Sequence, residues 1–137
     1  RMSEGLVRWI ELGRTIDAVS ARKWEFERTR YWHKLGAVLE RHHALLCPTM
    51  AVTAPPVEMR DWDFGGTNDA GMFECMDMTG AFNYMAQCPA LSVPSGFADG
   101  LPTAIQIVAR RYDDALALNI GAAVEKAAPW SQQRPKI

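Results

Sequence analysis

Several residue groups have types and spacings that could do chemistry. Ser20-Ala21-Arg22-Lys23 is an S-x-x-K pattern, in which a helical Lys one turn on can take a proton from a serine nucleophile. Enzymes that use it carry S-D-N and K-T-G elements as well. Neither occurs here, so the pair reads as an ordinary helix face. Asp61-Trp62-Asp63-Phe64-Gly65-Gly66-Thr67-Asn68-Asp69 has oxygen ligands at the first, third and ninth positions of a calcium loop, and Gly66 at the sixth. The fifth position is Gly65 and the twelfth is Met72 in place of a bidentate Glu, which makes a solvated acidic loop the better reading. His33, His42, His43 and Cys47 show no structural-zinc spacing. His42-His43, near a helix end, suit carbonyl capping and the helix dipole. Cys47, Cys75 and Cys88 could act as nucleophiles only beside a positioned base, and the sequence places none, so inert thiols are expected. Met72, Met76, Met78 and Met85 with Phe73, Phe82 and Tyr84 form a soft apolar cluster. It reads either as core or as a pliable wall for an apolar substrate group. There is no P-loop, no G-x-G-x-x-G and no G-x-S-x-G. The residues alone give no complete catalytic constellation, no metal site and no cofactor.

The elements that would position these residues follow from periodicity. Residues 5–13 predict a short helix with Leu6, Trp9, Ile10 and Leu12. Residues 15–41 predict one long helix capped by Thr15. Ile16, Trp24, Tyr31, Trp32, Leu35, Val38 and Leu39 share one broad face of it, while Val19, Phe26 and Ala37 fall opposite. A surface helix usually carries one apolar stripe, so two apolar sides predict a helix covered on both. Ala44-Leu45-Leu46-Cys47 reads as a buried strand stopped by Pro48, and residues 48–80 as a long, acidic, functional loop. Residues 80–88 hold a helical turn. Ala90–Val93 and Thr103–Val108 read as an antiparallel strand pair joined through Asp99-Gly100. Asp113 and Asp114 start a helix through Ala127 whose face carries Leu116, Ala117, Ile120, Ala123, Val124 and Ala127, and Pro129 stops it.

Composition bounds the class. The chain has 137 residues, about one domain, with 48% apolar and 23% charged residues, the balance of a soluble globular protein. Its 15 Lys and Arg against 16 Asp and Glu lack the basic excess of a nucleic-acid binder. No apolar run has the length of a membrane span, and no signal peptide opens the sequence. Three Cys with no CxxC pair fit a reducing, cytoplasmic compartment. Arg1 precedes Met2, which is expected of an added residue or of truncation from a longer chain.

Leu45-Leu46-Cys47-Pro48-Thr49-Met50 followed by Ala54-Pro55-Pro56 resembles the L-x-P-T … A-P segment of the amidase signature family. Pro89-Ala90-Leu91-Ser92-Val93-Pro94-Ser95-Gly96-Phe97 is similar to its P-A-[LI]-S-V-P-x-G-F segment. The run from Asp99 to Arg111 is similar to its D-G-L-P-x-G-[LI]-Q-[IL]-x-[GA]-R, with Ala104 at the usual Gly. Ala115-Leu116-Ala117-Leu118, Glu125, Pro129-Trp130 and Arg134-Pro135 resemble its final helix and tail. The order and spacing hold from about Ile16 to Pro135. Before Pro89, Asn83-Tyr84-Met85-Ala86-Gln87-Cys88 is one residue longer than the family's N-L-x-G-x-P and lacks its Gly.

The resemblance implies the C-terminal portion of an amidase-type α/β domain, with residues 1–137 a single unit. The implied fold is α/β, a fragment of a mixed β-sheet flanked by helices, with one long N-terminal helix and an antiparallel pair near 90–108. The family cleaves C–N amide bonds through a Ser–cis-Ser–Lys triad that matches nothing here, so no catalytic residue is assigned and the chain alone is expected to be inactive. Met50, Phe82 and Asn83 are expected to line the substrate pocket. The implied partners are a small-molecule amide and the missing N-terminal part or a second copy of the chain as a dimer, with no nucleic acid and no membrane. Two other readings stand beside it: a non-catalytic, stand-alone oligomerising module, and part of an aminoacyl-tRNA amidotransferase.

Overall fold

The computed structural model describes Met2 and residues 4–59, 78–85 and 88–133. Among them are α1 (Glu4–Arg14), α2 (Ala18–Leu39), β1 (Ala44–Pro48), α3 (Gly80–Met85), β2 (Ala90–Ala98), β3 (Leu101–Ala109) and α4 (Asp114–Ala127). The described strands form one antiparallel sheet in the order β1-β3-β2, with helices packed on it. The fold is α/β.

Asp17, not Thr15, caps α2. Its carboxylate accepts the backbone N–H groups of Val19 at 2.8 Å and Ser20 at 3.0 Å. The Thr15 hydroxyl instead donates to the Leu12 carbonyl at 2.8 Å, closing the end of α1. A carboxylate with two acceptor oxygens at the helix start outcompetes a hydroxyl already used by the preceding turn. At the other end, the Arg41 Nε donates to the Ala37 carbonyl, so Arg41 supplies the side-chain cap expected of His42 and His43. Of the two apolar sides of α2, only its last turns are covered: Leu35 and Leu39 are buried, whereas Val19 and Phe26 are 65% and 68% exposed.

β3 is the central strand, and Gln106, Ile107, Val108 and Ala109 on it are buried. β2 and β3 are longer than the sequence reading, because the ladder runs to the turn. Ala98 pairs with Leu101 across Asp99 (φ 53°) and Gly100 (φ 78°). Positive φ at both central residues is the two-residue turn whose twist matches the strands. Ser95 is an extra residue between the pairs Pro94–Ala104 and Gly96–Thr103, a bulge that bends β2. On α4, capped by Asp113, the buried face is Ala117 and Gly121 with half-buried neighbours, while Ala123 and Ala127 are exposed. Gly121 lets α4 lie close on β2: a Cβ there would stand 2.5 Å from the Leu91 Cδ2.

Two arginines after β3 tie the sheet to α2. The Arg110 Nε donates to the Leu39 carbonyl at 2.9 Å, a cation at a helix C-terminus where the dipole favours it. The Arg111 guanidinium lies 3.5 Å from the centre of the Trp32 ring, a cation–π contact.

Candidate functional site

The ends of the strands and the segment after β1 enclose an open groove of about 860 Å³. One wall is Pro48 to Pro55; the other is the hairpin side of β2 and β3, including Ser92 to Ser95 and Pro102 to Ile105. Antiparallel pairing builds this site, because it sets the end of β1 beside Ile105 and the start of the hairpin arm. The Thr49 N–H continues the ladder to the Ala104 carbonyl at 3.0 Å.

Among the described residues, no wall residue carries an ionisable side chain. Four of the wall hydroxyls pair with each other: Thr49 Oγ1 with Ser92 Oγ at 2.8 Å, and Ser95 Oγ with Thr103 Oγ1 at 3.2 Å. A serine hydroxyl needs an adjacent base to become a nucleophile, and none of the described wall residues supplies one. These walls can hold an apolar group and offer it hydroxyl contacts.

Beneath the groove lies Gln106, 2% exposed, between Cys47 and Ser92 in the register. Its Nε2 donates to the Pro48 carbonyl at 3.1 Å and to the Met78 carbonyl at 3.0 Å. Its Oε1 is buried without a partner among the described residues. Gln106 stands at the Gln of the D-G-L-P-x-G-[LI]-Q segment, but periodicity alone gives it no role. A lone Gln inside Thr103–Val108, an otherwise apolar strand run, is the signal that could have found it, since a buried amide must have a reason.

Of the residues read as pocket lining, Met50 stands in the groove wall. Phe82 and Asn83 lie on α3 and are not among the wall residues; their backbone N–H groups both donate to the Thr79 carbonyl. The Tyr84 hydroxyl donates to the Trp24 carbonyl and joins α3 to α2. Met78, Phe82 and Met85 are half-buried and Tyr84 is exposed, while Met72, Phe73 and Met76 lie outside the described residues. So do Cys75 and the acidic stretch from Asp61 to Asp69. The Ser20 hydroxyl donates to the Asp17 carboxylate at 2.7 Å, which makes it part of the helix cap. That bond and the Ser20 and Val19 backbone N–H groups hold the Asp17 carboxyl below its ordinary value. Burial pushes the Cys47 thiol up, opposed by the neighbouring Gln106 amide, and pushes the Cys88 thiol up, opposed by the Arg111 charge. Neither is a poised thiolate. His33, His42 and His43 are not buried, and among the described residues no three His, Cys, Asp or Glu could share a metal ion.

Comparison with known proteins gives this geometry a setting. The family model for amidases matches residues 3–118. The A subunit of the Thermotoga maritima glutamyl-tRNA(Gln) amidotransferase is 32% identical over 105 residues, 77% of this chain and 21% of that protein. The corresponding protein of Chloroflexus aurantiacus is 32% identical over 116 residues, covering 85% of this chain and 23% of that one. The chain thus spans about a fifth of the length of these curated relatives. Among solved structures, a bacterial aryl acylamidase of the amidase signature family superposes on 98% of this chain and 29% of its own. Its TM-score is 0.74 and its identity 28%. The crystal structure of the T. maritima amidotransferase protein gives a TM-score of 0.64 at 30% identity, covering 95% of this chain and 29% of its own.

Proposed function

The chain belongs to the amidase signature family, and from that premise we propose that it is the C-terminal portion of an amide-hydrolysing enzyme and forms one wall of its substrate cleft. The observation that carries this reading is the groove between Pro48–Pro55 and the β2–β3 hairpin, whose described wall residues are uncharged. Its apolar lining suits the acyl or amine group of a small apolar amide, with Met50 as a deformable contact. The Ser–cis-Ser–Lys triad and its oxyanion donors come from sequence outside these residues, and the chain by itself is inactive. The whole protein works in the cytoplasm, where Cys47 and Cys88 stay reduced.

Two kinds of relative suggest two substrates. An aryl acylamidase acts on aryl acyl amides, as its name says. A glutamyl-tRNA(Gln) amidotransferase, by its name, serves a glutamyl-tRNA. The absence of a charged side chain among the described wall residues favours the apolar amide. The 32% identity to the amidotransferase proteins is what favours the second reading.

The test is amide hydrolysis by the full-length enzyme and by residues 1–137 alone, across apolar anilides, short aliphatic amides and glutamine. The expected result is turnover of apolar amides by the full-length enzyme and none by the fragment. Hydrolysis by the fragment that Ser20→Ala abolishes would overturn the assignment of the triad to other sequence. Turnover of glutamine in preference to the anilides would overturn the apolar substrate.

The same exposed faces of α2 also support a second reading, a non-catalytic module that dimerises through Val19 and Phe26. A stable dimer of 1–137, unchanged by addition of the remaining amidase sequence, would favour it.

A further inference from the structure

We propose that Gln106 is a positioning residue that sets the shape of the groove by clasping the two ends of the excursion between Pro48 and Met78. Three hydrogen bonds bring these ends together. Two come from the single Gln106 Nε2, to the carbonyls of Pro48 and Met78. The third runs from the Met78 N–H to the Thr49 carbonyl at 3.3 Å. A glutamine amide has two protons on one nitrogen, and here both are used by carbonyls distant from it in sequence. The reverse amide orientation would set an oxygen against two oxygens, so the two acceptors dictate how the side chain points.

An apolar side chain here, in a strand of Ile105, Ile107 and Val108, would fill the space and hold neither carbonyl. Glutamine fixes two backbone positions. Pro48 is the last residue of β1 and itself a wall residue, and Thr49 to Pro55 follow it along the same wall. Moving the Pro48 carbonyl moves that wall, and with it the Thr49 hydroxyl that meets Ser92. What the groove binds rests on the reading above. That Gln106 holds its wall does not.

Gln106→Met is nearly isosteric and removes both donated bonds. In residues 1–137, hydrogen exchange at the Thr49 and Met78 amides should quicken about tenfold or more, while Ile107 and other β2–β3 ladder amides keep their protection. Uniform quickening across the sheet would mean a core role only and would overturn the proposal, as would no change at Thr49 and Met78. The unaltered chain gives a check that needs no variant. Both Gln106 side-chain amide protons should exchange about tenfold or more slowly than those of the exposed Gln132 and Gln133, and free exchange would overturn the clasp. In the full-length enzyme, Gln106→Met should raise KM for apolar anilides about tenfold and change kcat less than about twofold. A fall in kcat at constant KM would overturn the positioning role. An enzyme that cleaves no amide at all would overturn the proposed function, and the exchange data would still decide the clasp.

Discussion

At the scale of single residues, ionisable groups here serve structure, and their protonation reports it. The Asp17 carboxyl titrates below its ordinary value of 3.8 because the Ser20 hydroxyl and two backbone N–H groups bond its charged form. A lowered folded value means that the cap contributes fully above 3.8 and is lost as pH falls through the lower value. The Val19 and Ser20 amide resonances should therefore titrate together in acid, below about pH 4, with the first turn of α2 fraying. Ser20→Ala should move that transition upward towards 3.8, since it removes the largest cause. Titration at an unchanged pH would show that the hydroxyl is not a cap partner. The thiols behave in the opposite sense. Burial raises Cys47 and Cys88 above the ordinary thiol value, so both stay protonated near neutral pH. Alkylation by iodoacetamide should be slow there and climb past pH 9. Rapid labelling near neutrality would contradict the burial. The burial of these thiols is expected from the apolar run around Cys47, but their protonation is set by neighbours that the sequence does not place. The Asp17 cap is not legible in the sequence: Thr15 and Asp17 are both good capping types, and only the course of the chain at the end of α1 decides between them.

At the scale of elements, patterning is a sound guide wherever one face is buried. Each element with a strong period forms, and Asp99-Gly100 fixes the hairpin. The hairpin's full extent is not legible, because alternation fades where β2 leaves the core, although the ladder continues through Ala98 and Leu101. Gly100 occupies the left-handed region at φ 78°, where a β-branched residue is strained, so Gly100→Val should destabilise the hairpin by about 1–2 kcal/mol. Chemical denaturation measures this, and an unchanged midpoint would exclude a strained turn. Gly121 tests packing instead. A valine there must displace the Leu91 side chain, 2.5 Å from the new Cβ, and crowd Val93 at 3.5 Å. Overpacking of this kind costs about 1–3 kcal/mol, and Leu91→Ala should recover part of the loss. The groove itself is only partly legible. The L-x-P-T and S-V-P segments mark it, and Met50 is in the wall, but Phe82 and Asn83 are on α3. Which residues face a common space depends on register across three strands, and periodicity within one segment does not contain it.

At the scale of the whole molecule, the chain is a large surface around a small core. Leu35, Leu39, Val93, Ile107, Val108 and Ala109 are among its few buried apolar residues, and several aromatic residues of the helices remain exposed. The chain spans about a fifth of the length of the matched relatives, so the reading proposed above has further sequence to cover the open faces. This makes opposite predictions for one substitution in two contexts. In residues 1–137, Phe26 is 68% exposed, so Phe26→Lys should change stability by no more than about 0.5 kcal/mol. The same change should weaken any concentration-dependent association, because it puts a charge on an apolar patch. On the proposed reading, in which further amidase sequence covers α2, the same lysine would have to lose its water shell. Burying an unpaired charge is among the few changes that reach about 3 kcal/mol or more. Denaturation of both forms and sedimentation of the fragment, with and without the substitution, separate the cases. A large loss only in the longer protein would show that α2 is an interior helix of the complete amidase. An equally small effect in both would show that this side of α2 faces water in the whole enzyme, and the dimerising module would then be the better account of its exposed aromatic residue.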